Sequence, residues 1–285
     1  MRQLAWLLSA TSIAALFARP TTALAQSPRV ILDEQFASLD PARWMEATNG
    51  PWQVGAPTIW SLSNIQGRNV LRAMSELDGP MRRGFLTIPT FRVRSTLIEF
   101  DVLPVSSQGS PAEALLLFPF GDVYLAMSLH ATPAGGPAWV RVETAGWADT
   151  FPMAAPWQPG RWHTFVMDVG VRRVRLVVRD DASSEIWAMD FPWELCDYSS
   201  EWGVGVLQHA SPGQAVVADA AFDRVTVMWR CGADIDGDGR LTVNDFVRFI
   251  NEHANRDCSA DMNDDHAADS LDFVAFAQAF AAGCM

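Results

Sequence analysis

The end of this 285-residue chain repeats itself, and that repeat limits the fold more than any other feature. Shifted by 27 positions, Cys231-Gly-Ala-Asp-Ile-Asp-Gly-Asp-Gly falls on Cys258-Ser-Ala-Asp-Met-Asn-Asp-Asp-His. Further on, Asp245-Phe-Val-Arg-Phe-Ile falls on Asp272-Phe-Val-Ala-Phe-Ala. Such a repeat is one supersecondary unit used twice. Oxygen-bearing side chains occupy loop positions 1, 3, 5, 9 and 12 in both copies. They are Asp234, Asp236, Asp238, Thr242 and Asp245, then Asp261, Asn263, Asp265, Asp269 and Asp272. Ca²⁺ is a hard cation that takes about six to eight oxygens. A loop coiled around it turns alternate residues inward. Position 7 (Arg240, Ala267) supplies a backbone carbonyl, so its side chain is unconstrained. Gly239 at position 6 permits a sharp turn with positive φ, whereas His266 in the second copy enters that region at a cost. Position 8 is Leu241 in one copy and the smaller Ala268 in the other, each packing between the loops. Two Ca²⁺ sites are therefore expected, the second weaker.

After each loop the pattern becomes helical. Phe246, Val247, Phe249 and Ile250 recur at 3,4 spacing, as do Phe273, Val274, Phe276, Ala277 and Phe280. Each helix has an apolar stripe that cannot be buried alone, and packing the two copies face to face is expected to bury both.

Residues 231–284 resemble a type I-like dockerin, the calcium-dependent docking module of bacterial polysaccharide-degrading systems. The loops close with Asp245 and Asp272, where the regulatory EF-hand pattern has Glu. No helix precedes the first loop. The resemblance implies folding upon Ca²⁺ and a cohesin-like protein partner. The family's recognition positions fall on Val243-Asn244 and Ser270-Leu271, which depart from the Ser-Thr pairs of its best-known members. The flanking cysteines are similar to those of dockerin-like tails in secreted proteins of planctomycete-type bacteria.

Charge separates this tail from the rest. Residues 231–285 carry eleven acids against three arginines, while residues 26–230 carry 22 acids against 16 arginines. The asymmetry places a module boundary at Arg230-Cys231. The formal net charge of −12 argues against a nucleic-acid partner. All 21 bases are arginine, which excludes a lysine Schiff base or a P-loop lysine.

Residues 1–25 read as a signal peptide. Arg2 precedes an apolar run from Leu4 to Ala18, and Ala23-Leu24-Ala25 provides a small-x-small cleavage site. Secretion to the extracellular space or cell surface is expected, with no transmembrane segment in the mature chain. An oxidising compartment favours disulfides among Cys196, Cys231, Cys258 and Cys284, which allow three pairings. The pseudo-twofold module brings its ends together, so Cys231–Cys284 is the expected bond, leaving Cys196 and Cys258 to join the two modules.

Residues 26–230 show alternating apolar runs between turn signals, without long helical periodicity. Examples are Phe91 to Val102, Val171 to Val178 and Phe222 to Trp229, separated by breakers such as Asn49-Gly50-Pro51 and Pro159-Gly160. The expected fold is mainly β: an antiparallel jelly-roll sandwich, followed by the small all-α calcium module. Three phrases resemble the concanavalin A-like, laminin-G-like jelly roll. They are Leu32 to Trp44, Gly160 to Val169 with its following hairpin strand, and Ala221 to Val227, which would pair with the first strand.

Glycosidases of this fold carry carboxylates as Glu-x-Asp-x-x-Glu or Glu-x-Asp-x-Glu. Glu99 and Asp101 share one strand face and match the first two, but Leu103 and Pro104 occupy both places for the third. Retaining hydrolysis needs that acid about 5–5.5 Å from the nucleophile. Glu99 and Asp101 are therefore read first as outward-facing residues of an ordinary strand. His130, His163 and His209 lack zinc-ligand spacing. Trp52, Trp60, Trp139, Trp147 and Trp157 lie near loop-like sequence and are the candidates for stacking on sugars.

Three readings follow. The favoured one is a secreted, calcium-binding, non-catalytic protein whose sandwich binds carbohydrate or cell-surface material in polysaccharide metabolism. The second is a jelly-roll glycoside hydrolase or polysaccharide lyase targeted by its tail, acting as a hydrolase on O-glycosyl bonds. The third is a structural surface protein.

Overall fold

The computed structural model describes residues 29–46, 53–54, 59–78, 81–87, 91–92, 96–108, 112–120, 123–131, 139–144, 147–153, 160–170, 173–192, 199–200, 203–208, 215–238, 240–263 and 267–283. Its strands are β1 (Arg29–Glu34), β2 (Trp44–Glu46), β3 (Gln53–Val54), β4 (Ile59–Ile65), β5 (Arg68–Asp78) and β6 (Met81–Thr87). Next come β7 (Phe91–Arg92), β8 (Thr96–Gln108), β9 (Ala112–Phe120), β10 (Val123–Ala131), β11 (Trp139–Thr144) and β12 (Trp147–Pro152). The last are β13 (His163–Val169), β14 (Arg173–Arg179), β15 (Glu185–Pro192), β16 (Ser199–Ser200), β17 (Gly203–Gln208) and β18 (Ala215–Trp229).

Two eight-stranded antiparallel sheets form a jelly-roll sandwich. One runs β15-β14-β13-β8-β18-β5-β4, with β1 also on β18. The other runs β12-β11-β10-β9-β17-β6-β2, with β3 also on β6. The expected pairing of first and last strands is present: Leu32 lies opposite Val227 and Glu34 opposite Val225. The expected hairpin is β13–β14, with Phe165 opposite Val178 and Val169 opposite Val174. Period-two alternation then builds the core. Ile98, Phe100 and Val102 of β8 line the interior beside Phe165, Met167 and Val169 of the adjacent β13, with Leu176 of β14 and Phe222 of β18. The second sheet contributes Trp44, Met127, Val140, Val142 and Val204. Phe100 meets Phe165 edge-on at 5.1 Å between ring centroids.

Glu34 fixes the passage from β1 in one sheet to β2 in the other. Its carboxylate accepts the backbone N–H of Phe36 at 2.9 Å and the indole N–H of Trp44 at 3.2 Å. Phe36 holds a left-handed φ of 47° there, a conformation the two bonds stabilise against its steric cost. In β8, Pro104 lies opposite Ala220, next to the register shift between Asp219 and Ala220. A proline cannot donate to a ladder, and a bulge is where a central strand tolerates one.

Beyond β18, two helices follow: α1 (Val243–Ala254) and α2 (Ser270–Ala282), with a 3₁₀ turn at Cys258–Ala260. Each starts with a capping box, Thr242 with Asp245 and Asp269 with Asp272. Gly283 ends α2 in the left-handed conformation at φ 69°. A small core of Ala233, Ile235, Phe249, Ala260 and Phe276 lies between the repeats, with Leu241 and Ala268 packed against it as expected.

The 27-residue offset reappears as ring geometry. Phe249 and Phe276 are equivalent and stack face to face, 4.0 Å apart and 1° from parallel. Phe246–Phe276 and Phe249–Phe273 are 6.1 Å and 6.2 Å. Phe276–Phe280 and Phe249–His253 are both 5.6 Å. The local twofold axis therefore passes between Phe249 and Phe276. One expectation is corrected: the helices do not bury their whole apolar stripes. Val247 is 52% exposed, Ile250 36%, Phe273 38% and Val274 49%. Phe249 and Phe276 fill the interface with Phe246 and Phe280 against them, and Val247, Ile250 and Val274 form a neighbouring stripe turned to solvent, with Phe273 at its edge.

Truncating Phe165 to Ala should destabilise the sandwich by about 3–5 kcal/mol, because its cavity lies between two sheets that cannot collapse freely. Leu62→Ala, at a side chain 43% exposed, should change stability by less than about 0.5 kcal/mol. Urea unfolding of both variants measures the difference.

Candidate functional site

The capping boxes do more than start the helices. Asp245 is fully buried. One of its oxygens accepts the backbone N–H of Asp236 at 3.1 Å, and the other accepts the N–H of Thr242 at 2.8 Å and its hydroxyl at 3.2 Å. Asp272, equally buried, is held in the same way. Its oxygens accept Met262 N–H at 2.7 Å, Asn263 N–H at 3.1 Å and Asp269 N–H at 2.7 Å. Loop positions 3 and 9 are thus tied to position 12 in both copies.

At position 1, Asp234 accepts the N–H groups of Gly237 and Asp238 at 2.9 and 3.1 Å. Gly237, at position 4, takes the left-handed φ of 74° that this turn requires; the sequence pattern pointed to Gly239, which lies outside the described residues. Asp238 accepts Arg240 N–H at 2.8 Å. The result is a convergence of charge: carboxylate oxygens of Asp234, Asp236 and Asp245 lie within 4.8 Å of one another. Burial raises the Asp236 carboxyl above its ordinary range, and the charges of Asp245 and Asp238 push the same way. A set of carboxylate oxygens around one point fits a hard divalent cation and no soft metal. In the second loop Asp261 is buried, Asn263 half-buried and Asp269 exposed. Asp265 and His266 lie outside the described residues, as does the comparison of Gly239 with His266.

In the sandwich, Glu99 and Asp101 lie on the outer side of their sheet, alternating with the core residues Ile98, Phe100 and Val102. Asp101 is nevertheless only 5% exposed. Thr164 donates its hydroxyl to it at 2.7 Å, Arg68 a guanidinium N–H at 3.0 Å and Arg224 another at 3.5 Å. Arg224 reaches it from the bulge in β18, at φ 44°. Arg68 also binds Asp223, the cross-strand neighbour of Asp101, at 3.2 Å. Burial raises the Asp223 carboxyl, while the hydrogen bond from Arg224 N–H and the charge of Arg68 lower it. Glu99 is paired with Arg179 at 3.3 Å. Leu103 is buried with Val70, Trp162 and Ala221, under Arg68, whose guanidinium lies 4.6 Å from the Trp162 ring centroid. An apolar cluster thus fills a place where a third carboxylate would stand. The Arg68–Asp101–Asp223–Arg224 group was not legible beforehand, since it joins three strands distant in sequence.

Of the candidate tryptophans, Trp60 packs against the sandwich core. Trp139 is half-buried and alternates with the core residues Val140 and Val142, which puts it on the outer side of the second sheet. Trp147 begins β12, and Trp52 and Trp157 lie outside the described residues. Among the described residues no cysteine is free, and Cys231 and Cys258 are disulfide-bonded. Cys196 and Cys284, and with Cys284 the expected Cys231–Cys284 pairing, lie outside them, as do residues 1–25. No helix among the described residues is long and apolar enough to cross a membrane.

Comparison with known proteins places the fold. No protein-family model matches the chain, and no curated protein matches it. Solved structures do. A glycoside hydrolase family 16 protein of a Bacteroides ovatus mixed-linkage glucan locus, in complex with a G4G4G3G product, is 12% identical with a TM-score of 0.52. The match covers 69% of this chain and 99% of that one. An immunostimulatory antigen and pseudo β-1,3-glucanase of Mycobacterium tuberculosis is 12% identical with a TM-score of 0.50, covering 70% and 98%. The CBM2 module of the evolved Dit of Lactobacillus casei BL23 phage J-1 is 9% identical with a TM-score of 0.53, covering 72% and 96%. At these identities the likeness establishes a shared jelly-roll fold.

His163 yields a test of the sandwich. Its Nδ1–H donates to the Arg161 carbonyl at 3.1 Å. Burial holds its pKa below the ordinary 6.5, against a smaller upward effect of that hydrogen bond. The unfolded chain therefore binds a proton below about pH 6.5 that the folded chain refuses, so His163 makes stability fall as pH drops through that value. The urea midpoint should fall more between about pH 7.5 and pH 5.5 in the wild type than in His163→Gln.

Proposed function

We propose that the chain is a secreted, calcium-stabilised, non-catalytic protein whose jelly-roll sandwich binds polysaccharide and whose dockerin-like tail docks a protein partner. The convergence of Asp234, Asp236 and Asp245 carries the calcium part of this reading. At an effective dielectric of about 20, two like charges about 5 Å apart repel by roughly 3 kcal/mol, and a divalent ion removes that repulsion. Asp234, Asp236, Asp238, the Arg240 carbonyl, Thr242 and Asp245 would hold the first ion. Asp261, Asn263, Asp265, the Ala267 carbonyl, Asp269 and Asp272 would hold the second. The ion supplies charge neutralisation, and the chain supplies the geometry through the two closing aspartates.

The polysaccharide part draws on the neighbours, which are named for glucan hydrolysis or as a carbohydrate-binding module. The non-catalytic part draws on the sandwich itself. Arginines engage both Glu99 and Asp101, and Leu103 is packed away from solvent. The partner surface is the solvent-facing stripe of Val243, Val247, Leu271 and Val274, 49–59% exposed, since clustered apolar side chains at a surface mark an interaction site. Secretion draws on the leader pattern in residues 1–25. A hydrolase reading stands beside this one, because one neighbour is a family 16 protein holding a glucan product.

Two measurements decide. Titration of the chelated full chain with CaCl₂ should show two binding events and raise the melting temperature of the helical signal; at calcium about 100-fold above Kd the gain is about 2.7 kcal/mol. Asp245→Ala and Asp272→Ala should each remove one event. A chain that binds no calcium and melts identically in EDTA would refute the metal reading. On a panel of insoluble polysaccharides, the chain should co-sediment with at least one β-glucan and release no reducing sugar. Release of reducing ends would establish the hydrolase reading instead.

A further inference from the structure

The two helical repeats match ring for ring except at one place. Position 253 in α1 corresponds to position 280 in α2, and the residues are His253 and Phe280. Both hold the same relation to their own helix, 5.6 Å from Phe249 and Phe276 respectively. Phe280 reaches across to Phe246 at 6.4 Å, an apolar contact between helices. His253 does something Phe280 cannot. Its Nε2 lies 2.5 Å from the backbone carbonyl of Asp269. A carbonyl only accepts, so the ring nitrogen donates. Asp269 is the N-cap of α2 and stands at position 9 of the second loop. Its N–H is bound to Asp272, its side chain accepts Leu271 N–H at 2.7 Å, and its carbonyl also receives Phe273 N–H at 3.4 Å.

The neighbouring residue on α1 strengthens the arrangement. Glu252 is buried, held by Arg248 at 3.1 Å and by the Ser259 hydroxyl at 2.8 Å, in the turn that leads into the second loop. The end of α1 is therefore anchored on one side to the start of the second loop and on the other, through His253, to its closing end. Phe280, at the matching place on α2, has no donor to offer the first loop, and no such bond occurs among the described residues.

We infer that His253 is a positioning residue for the second metal loop, holding Asp269 in place from the first repeat and so making the second site depend on α1 while the first does not depend on α2 in this way. This rests on the calcium reading proposed above. The bond fixes the backbone on which a ligand side chain stands, and removing such an outer partner typically weakens metal binding by about 10–100-fold.

The test uses the full chain in two backgrounds. Asp245→Ala leaves only the second site intact, and Asp272→Ala leaves only the first. His253→Phe is the informative change, because phenylalanine is what the other repeat carries there and the ring stack is kept. In the Asp245→Ala background, calorimetric titration with CaCl₂ should show His253→Phe weakening binding by about tenfold. In the Asp272→Ala background the same change should leave Kd within about twofold. His253→Gln, whose amide can donate to the carbonyl, should recover most of the loss. Equal weakening in both backgrounds, no change at the second site, or no recovery by Gln overturns the inference while leaving the calcium reading intact. Absence of calcium binding in the unmutated chain overturns the calcium reading and this inference together. If His253→Phe does not regain its helical signal at saturating calcium, the comparison of His253→Gln with His253→Ala in the same backgrounds decides, with the same expected order.

Discussion

Backbone hydrogen bonds along β18 join β8 on one edge to β5 and then β1 on the other. The arrangement of the sandwich follows from this fifteen-residue strand. Because β1 can only pair with its last five residues, the beginning and end of the jelly roll are brought side by side, and the chain leaves the sheet at Arg230. That arginine is itself fixed to Asp168 on β13, at 3.0 Å. The helical tail therefore emerges from a strand held on both edges rather than from a free end. The bulge between Asp223 and Thr226 has a second consequence, since it aims Arg224 back over the sheet at Asp101. One strand thus sets both where the tail leaves the sheet and the ion pairing on the sandwich's outer face.

The chain handles buried carboxylates in two different ways. On the outer face of the sandwich the partner is arginine, which can span two acids with one planar group, as Arg68 does for Asp101 and Asp223. Arg72 with Asp219, between β5 and β18, and Arg179 with Glu99, between β14 and β8, are further arginine–carboxylate pairs on the same sheet. With no lysine in the chain, every such pair has this directional form. The tail carries three arginines for eleven acids, and its fully buried aspartates take backbone amides and one hydroxyl as donors. Amides orient a carboxylate without neutralising it. Three carboxylates brought together this way concentrate negative charge at one point, and that difference in chemistry separates the two parts of the molecule more sharply than their secondary structure does.

Local patterns in the sequence carried much of this. The 27-residue repeat and its loop positions follow from spacing within one or two elements, whereas the first-to-last strand pairing and the β13–β14 hairpin followed from the resemblance to concanavalin A-like jelly rolls. Features that depend on register between distant strands did not. Glu99 and Asp101 read as ordinary outward residues, and nothing near them in sequence reveals that Arg68, Thr164 and Arg224 converge on Asp101. Trp60 reads as loop-like yet packs on the core, because its neighbours there come from other strands. The helical stripes were visible, but 3,4 spacing alone does not say that the phenylalanines turn inward and Val247 and Val274 outward. Aromatic rings fill the narrow space at a local twofold axis better than branched aliphatic side chains, and that choice belongs to packing.

An approximate twofold axis also explains why the tail's asymmetries carry meaning. Two copies of one unit, packed around Phe249 and Phe276, would form identical sites if the sequences were identical. Every difference between them, such as Asp236 against Asn263 or His253 against Phe280, distinguishes the sites without altering the shared core. At position 3 the first loop has a carboxylate and the second a neutral amide, while at position 9 the order reverses, Thr242 against Asp269, so each loop carries four carboxylates and they differ in where the charge sits; the second also receives a bond from the other repeat, through His253. Both loops lead into helices whose Phe249 and Phe276 stack on each other, and the same two helices present Val243, Val247, Leu271 and Val274 to solvent, so the shared ring pair joins the loop ends to that exposed stripe.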